Sequence, residues 1–176
     1  MFLIEDSDFL TDAHKECIKN VYKDDFPYFY INNCVEDDGN SFLAHVLVFR
    51  PEERKNNQVY NSDLSEIFED MLITFCDKHQ VTYNELLRAA INLTFNGGQD
   101  KCLPHLDHPY YYKHLLIYLN NPLDKESHTV ILDKDKKHEL RRITPEQYKG
   151  VCFENLPHYQ MFPKFGERII AIITFR

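Results

Sequence analysis

The sequence predicts an α+β chain in which N-terminal helices pack on one sheet of a jelly-roll β-sandwich. Helical periodicity is confined to the part before residue 80, whereas from residue 89 onward the chain is a succession of short β-prone runs separated by turn residues. The length of 176 residues fits one domain, large enough to bury roughly 70 % of its unfolded surface without a staple. We read residues 1–88 as a helical and strand support, and residues 89–176 as the β core that carries the chemistry.

Taken in order, Phe2 to Ile4 is an edge-strand candidate, and Thr11 to Lys23 reads as a helix capped by Thr11 or Asp12, with Cys17, Ile18 and Val21 inward. Phe26 to Ile31 is aromatic and β-prone, and a turn at Asp37-Asp38-Gly39-Asn40 leads into a strand from Ser41 to Arg50. Residues 51–61 are polar and read as an exposed loop. From Ser62 to His79 the positions Leu64, Ile67, Phe68, Met71, Leu72 and Phe75 recur at helical spacing, which predicts a helix lying across a sheet. Thr82-x-x-Glu85 has the form of a capping box and predicts a short helix through Leu87. Strands are then expected at Ala89–Phe95, Lys113–Asn120, Thr129–Leu132, His138–Ile143, Val151–Glu154 and Arg168–Phe175.

Composition bounds the function. A net charge of −8 argues against a nucleic-acid clamp working through its overall field, although a local basic groove stays open. The five cysteines, Cys17, Cys34, Cys76, Cys102 and Cys152, are odd in number and lack Cys-x-x-Cys spacing, which fits buried thiols in a reducing compartment. The N-terminus has no basic region and an apolar stretch too short for a signal peptide. No apolar run approaches the ~18 residues of a membrane span, so a cytoplasmic protein is expected.

The informative stretch is Pro104-His105-Leu106-Asp107-His108-Pro109. In an extended strand residues i and i+2 point the same way, so His105 and Asp107 converge. A second imidazole brought in by the fold would complete two histidines and one carboxylate on one face of an octahedron, the ligand set of non-haem Fe(II) oxygenases. His158, after the short run Val151-Cys152-Phe153, is the candidate. With nine histidines a His-x-Asp pair also arises by chance. His108 and His114 are alternative ligands, and Cys102, His105 and His108 offer a Zn²⁺ set that leaves Asp107, His158 and Arg168 unexplained. Arg168 opens the apolar run to Phe175, where a guanidinium is costly to bury unless it meets a carboxylate. The bland readings are a surface arginine at a strand start and, for Tyr118, a core tyrosine bonded to backbone.

With His105-x-Asp107, Leu116-Ile117-Tyr118-Leu119-Asn120, Asn155-Leu156-Pro157-His158 and Arg168 ten residues later, the chain resembles the Fe(II)/2-oxoglutarate-dependent dioxygenases. The likeness is to the small prolyl-4-hydroxylase-like branch that includes phage enzymes, and it covers residues 90–176 best. The resemblance implies a double-stranded β-helix, with Fe(II) held by His105, Asp107 and His158. It implies 2-oxoglutarate held at its far carboxylate by Arg168 and Tyr118, with Phe95 and Ile170 lining the same pocket. The reaction it implies uses O₂ to hydroxylate a C–H bond with release of succinate and CO₂, with ascorbate as an accessory reductant, in the host cytoplasm if phage-encoded. Tyr110-Tyr111-Tyr112 reads as a substrate lid or as packing, and Phe26 to Tyr30 with Phe42 to His45 as walls of a substrate cleft. The residues before the first ligand, Asp100-Lys101-Cys102-Leu103-Pro104, lack the tyrosine that protein-modifying relatives often carry there. A peptidyl proline, an amino acid and a nucleotide-derived group all stay open as substrate. A cupin-like metal- or ligand-binding protein, or an isomerase on that scaffold, is the rival; it has no reason to place Arg168 and Tyr118 beside the metal.

Overall fold

A computed structural model describes residues 2–35 and 38–176. Among the described residues, ten strands and two α-helices follow one another as β1 (Leu3–Asp6), α1 (Asp12–Ile18), β2 (Phe29–Ile31), β3 (Phe42–Val48), α2 (Ser65–His79), β4 (Leu86–Phe95), β5 (Lys113–Tyr118), β6 (Thr129–Leu132), β7 (Glu139–Ile143), β8 (Gly150–Glu154), β9 (His158–Gln160) and β10 (Glu167–Phe175). Seven strands form one sheet in the order β1-β8-β5-β10-β4-β3-β2, and β7-β6-β9 form a second. All registered pairs are antiparallel. Two facing sheets with helices on the outer face of the larger one are the expected jelly-roll, double-stranded β-helix arrangement, with β1 as an edge strand.

Strand alternation divides the larger sheet. Ile169, Ala171, Ile173 and Phe175 of β10, with Ala89 and Ile91 of β4 and Leu115 and Ile117 of β5, face a core closed by Phe68, Met71, Leu72 and Phe75 of α2. The opposite parity, Ile170 of β10 with Leu116 and Tyr118 of β5 and Val151 and Phe153 of β8, packs toward Ile131 and Ile143 of the small sheet. Gly150 keeps β8 close to α2, because a Cβ there would sit 2.6 Å from the Phe9 ring and 3.1 Å from that of Phe75.

Helix α1 starts where Thr11 caps it: its hydroxyl accepts from His14 N–H, and His14 Nδ1 accepts from Thr11 N–H. The α-helix ends at Ile18 and a single 3₁₀ turn continues to Tyr22, shorter than the helix expected to Lys23. Helix α2 begins at Ser65 rather than Ser62, because Ser62 forms the preceding turn and Ser65 Oγ bonds to the Leu47 carbonyl. It ends on Gln80 in the left-handed region at φ 56°.

The short helix expected from Thr82 to Leu87 does not form. Asn84 and Glu85 N–H donate to the Arg176 carbonyl at 2.6 and 2.8 Å, and Arg176 N–H donates back to Glu85. Pairing with the chain end satisfies at once the groups that a one-turn helix would satisfy only after a costly nucleation. The 51–61 loop is mostly exposed, as its polarity suggested, and holds a 3₁₀ turn at Pro51–Glu53 and an isolated bridge from Tyr60 to Val48. The expected Asp37–Asn40 turn lies partly outside the described residues; within them, Gly39 adopts φ +67°. All five cysteines are free, four of them buried and Cys34 partly so. No helix among the described residues is long and apolar enough to cross a membrane.

Candidate metal centre and cosubstrate pocket

The segment between β4 and β5 runs back across the small sheet and meets β9. His105 and His158 form an isolated antiparallel bridge, exchanging backbone hydrogen bonds of 3.0 and 3.1 Å. Their rings are 4.7 Å apart. Asp107 is not in a regular strand but in the bend that follows, where the buried Tyr112 hydroxyl accepts its N–H at 2.9 Å. One ligand atom from each of His105, Asp107 and His158 lies within 4.8 Å of the others, the one such group among the described residues.

Each imidazole is oriented by its other nitrogen. His105 Nδ1 bonds to the Leu103 carbonyl at 2.9 Å and His158 Nδ1 to the Leu156 carbonyl at 3.1 Å. A carbonyl can only accept, so both rings carry the proton on Nδ1, and each neutral ring turns its Nε2 lone pair to the common point. Burial, reinforced by the charges of His114 and His105, drives the His158 pKa down to about 3, which keeps it neutral as a metal ligand must be. Burial alone would raise the Asp107 pKa, but His114, Arg88 and His158 outweigh it and hold the carboxyl well below its ordinary range. Asp107 Oδ1 faces Arg88 Nη1 at 3.2 Å and Arg50 Nη2 at 3.6 Å. Its Oδ2 lies 2.8 Å from His114 Nε2 and 3.8 Å from His158 Nε2, off-axis, and has no hydrogen-bond partner among the described residues. Two imidazole nitrogens and an unpartnered carboxylate oxygen converging at this range are a donor set that fits a divalent cation such as Fe(II).

At the other end of the same pocket Arg168 is fully buried. Its Nη1 donates to Gln160 Oε1 and its Nη2 to Thr129 Oγ1, each at 2.6 Å, while Nε has no partner among the described residues. No carboxylate among the described residues pairs with it. Asn120, just after β5, fixes its place: Nδ2 donates to the Glu167 carbonyl and Oδ1 accepts Ile169 N–H, bracketing Arg168. A buried cation held only by neutral acceptors is a built receptor for an anion, and the fork suits a carboxylate.

The remaining expected residues divide. Ile170 lines the pocket of about 450 Å³. Tyr118 is fully buried beside it, its ring 5.3 Å from the Arg168 guanidinium, but its hydroxyl donates to Thr129 Oγ1 at 2.7 Å. Phe95 is a correction: it pairs with Glu167, one residue off the parity of Thr94 and Arg168, and is not among the pocket-lining residues. His108 bonds to Thr174 Oγ1 through Nε2, so the Zn²⁺ set of Cys102, His105 and His108 does not converge. The three tyrosines are no common lid, since Tyr110 stacks on His108, Tyr111 is exposed and Tyr112 is fully buried. Of the expected cleft walls only Phe42 lines the pocket, whereas His45 faces Pro27 and Ser62.

Sequence reasoning missed Thr129, Gln160, Arg50 and Arg88. His114, offered as an alternative ligand, instead lies against Asp107 Oδ2 outside the converging group. Gln160 was legible as the residue two beyond His158 on the same strand face. Cys102 and Cys34 also bond to Gln160. The hydrogen bond from Cys34 is the main force lowering the Cys102 thiol pKa, and the same contact raises that of Cys34.

No protein-family model matches the sequence, nor does any curated protein. Solved structures do match. An oxidoreductase of the 2OG-Fe(II) oxygenase family from Burkholderia pseudomallei has a TM-score of 0.75 at 16 % identity, covering 98 % of this chain and 84 % of that one. The viral collagen prolyl hydroxylase of Paramecium Bursaria Chlorella virus-1, solved with 2OG, gives 0.60 at 15 % identity over 99 % and 95 %. A Pseudomonas putida prolyl-4-hydroxylase gives 0.63 at 14 % over 99 % and 91 %. The chain therefore has the fold of the 2OG-Fe(II) oxygenases and prolyl hydroxylases, a double-stranded β-helix carrying a His-x-Asp and a distant His at one end of its pocket.

Proposed function

We propose that the chain is a non-haem Fe(II)- and 2-oxoglutarate-dependent dioxygenase that hydroxylates a C–H bond. The observation that carries this reading is a fully buried guanidinium without a carboxylate partner, Arg168, in one pocket with the converging His105, Asp107 and His158. In this reading His105, Asp107 and His158 hold the metal. Fe(II), 2-oxoglutarate and O₂ would supply the oxidation, with succinate and CO₂ as co-products.

The chain's own part is placement. Arg168 grips the far carboxylate of 2-oxoglutarate by charge-assisted hydrogen bonds. Thr129 accepts from both Arg168 and Tyr118, so its own proton is left to donate toward the same carboxylate. Tyr118 thus supports the anchor through Thr129. Leu116, Ile170 and Ile172 wall the pocket with hydrocarbon and exclude water from it. Five free thiols and a ferrous site suit a reducing cytoplasm, with ascorbate as accessory reductant.

Anaerobic titration with Fe(II) and 2-oxoglutarate, followed by the charge-transfer absorption of the chelate, tests metal and cosubstrate together. The wild type should develop the band and, in air, release succinate. His158→Ala should lose the band, and Arg168→Gln should need about 100-fold more 2-oxoglutarate, the equivalent of ~3 kcal/mol for a buried charged contact. A wild type that binds neither Fe(II) nor 2-oxoglutarate would end the proposal.

A further inference from the structure

The pocket holds more positive charge than the cosubstrate needs. Besides Arg168 it is lined by Arg50, just after β3, and Arg88, on the pocket-facing parity of β4. Among the described residues both guanidiniums share a single carboxylate, that of Asp107. Arg50 Nη1 spends a further bond on the Asp107 backbone carbonyl at 2.5 Å. Arg88 makes only the one hydrogen bond to Oδ1, leaving Nε and Nη2 without an acceptor among the described residues. One arginine suffices to fix a carboxylate ligand.

With the ligands of the proposed reaction in place the excess grows. A dication and three guanidiniums face one carboxylate and one dicarboxylate, which is five positive charges against three negative. In a pocket of low dielectric such an imbalance is costly unless another anion enters. A second group points the same way: Asn92, also lining the pocket, is 7 % exposed, and its Oδ1 has no partner among the described residues. On strand β4 it lies four residues from Arg88 on the same face, about 13 Å along the strand.

We propose that Arg50 and Arg88 form the anion subsite for the substrate, which is a small molecule bearing a carboxylate or a phosphate rather than a neutral prolyl segment. Its anionic group rests on the two guanidiniums beside Asp107, and its body lies along Phe42, Ile172 and Asn92, the last offering an acceptor to a donor such as an amino group. The inference rests on the oxygenase reading, which sets the substrate beside the metal ligands.

The test uses three probes: a panel of free amino acids, a panel of nucleoside 5′-monophosphates, and a prolyl peptide with both termini blocked. Each is added to the full chain with Fe(II) and saturating 2-oxoglutarate, and succinate release and the charge-transfer band are read. One anionic panel should stimulate release at least tenfold and shift the band, and which panel does so separates carboxylate from phosphate. Esterification of the active compound should abolish the effect. Arg88→Gln and Arg50→Gln should weaken it at least tenfold, and Arg88→Lys should recover part of it. Stimulation by the blocked peptide alone, by no anionic compound, or equally in both Gln variants overturns the subsite.

A second arm needs no metal. In an Arg168→Gln background, thermal stabilisation by the same anions should persist and should vanish on adding Arg88→Gln. Absence of the band with persistence of this stabilisation would fell the oxygenase reading and leave the anion site. The band without any anion-dependent effect would fell the anion site alone.

Discussion

The two faces of the seven-stranded sheet are built from the same strands and differ in kind. Along β10, Ile169, Ala171, Ile173 and Phe175 enter hydrocarbon beneath the helices, while on the opposite parity Arg168, Ile170 and Ile172 face the pocket and Thr174 bonds to His108. The same division runs through β5, with Leu115 and Ile117 on one side and His114, Leu116 and Tyr118 on the other. One face is stabilised by area and shape, whereas the other buries a guanidinium, an imidazole and a threonine that only a ligand or a defined network can satisfy. A slip of one residue would put Arg168 under α2, so the polar face specifies register as strongly as the apolar one. The comparison predicts that the faces fail separately.

The largest effect is expected on the apolar face. Phe75 of α2 is fully buried with its ring edge-on to Phe9 at 5.0 Å. Phe75→Ala should cost roughly 3–5 kcal/mol of unfolding free energy, read from the urea midpoint. In the absence of denaturant its Fe(II) affinity should stay within about threefold of wild type, since the pocket parity is untouched. Affinity falling in step with stability would show that the faces are not separable.

The polar face should instead announce itself through pH. His108 is buried against Tyr110 and bonded to Thr174 Oγ1. Burial, with the charge of Arg50 beside it, lowers its pKa to about 4. Between the unfolded value near 6.5 and that figure the unfolded chain binds a proton that the folded chain refuses, so stability declines as pH falls through this window. Glutamine at the position keeps a side-chain amide for Thr174 and does not titrate. His108→Gln in the metal-free protein should flatten the loss between pH 6.5 and 4.5 by about 2 kcal/mol. An unchanged slope would place the titration elsewhere, with His158, which is depressed in the same direction, as the next candidate.

This division also explains what the sequence disclosed. The helix over 65–79, the strands that carry the core and the pairing of His-x-Asp with a later histidine were legible because each is a local pattern of period 3.6 or 2 or a spaced motif. The failures share a cause. Thr82-x-x-Glu85 looks like a helix start only until the C-terminal Arg176 competes for the same backbone groups. Phe95 was placed by likeness, and the register with Glu167 turns it to the other parity. Arg50 and Arg88 carry no local signal, because their meaning comes from Asp107, 57 and 19 residues away. Tyr118 is the instructive middle case, expected to share a carboxylate with Arg168 but found beside the guanidinium with its hydroxyl bonded to Thr129.

That middle case gives the smallest and sharpest prediction. Tyr118→Phe keeps the ring beside the Arg168 guanidinium and removes only the hydroxyl bonded to Thr129 Oγ1. Thr129 still accepts from Arg168, so one neutral hydrogen bond is lost, worth about 1 kcal/mol. On the proposed reading the KM for 2-oxoglutarate should rise roughly 3- to 10-fold, with kcat within twofold, because the hydroxyl is bonded to Thr129 at the Arg168 end of the pocket. Thr129→Val, which strips both Tyr118 and Arg168 of their common acceptor, should raise KM further. If Tyr118→Phe changes nothing while Thr129→Val does, the tyrosine is packing and the threonine alone carries the anchor. If kcat falls with KM unchanged, the hydroxyl acts at the reacting end of the pocket, and the placement of 2-oxoglutarate against Arg168 would need to be reversed.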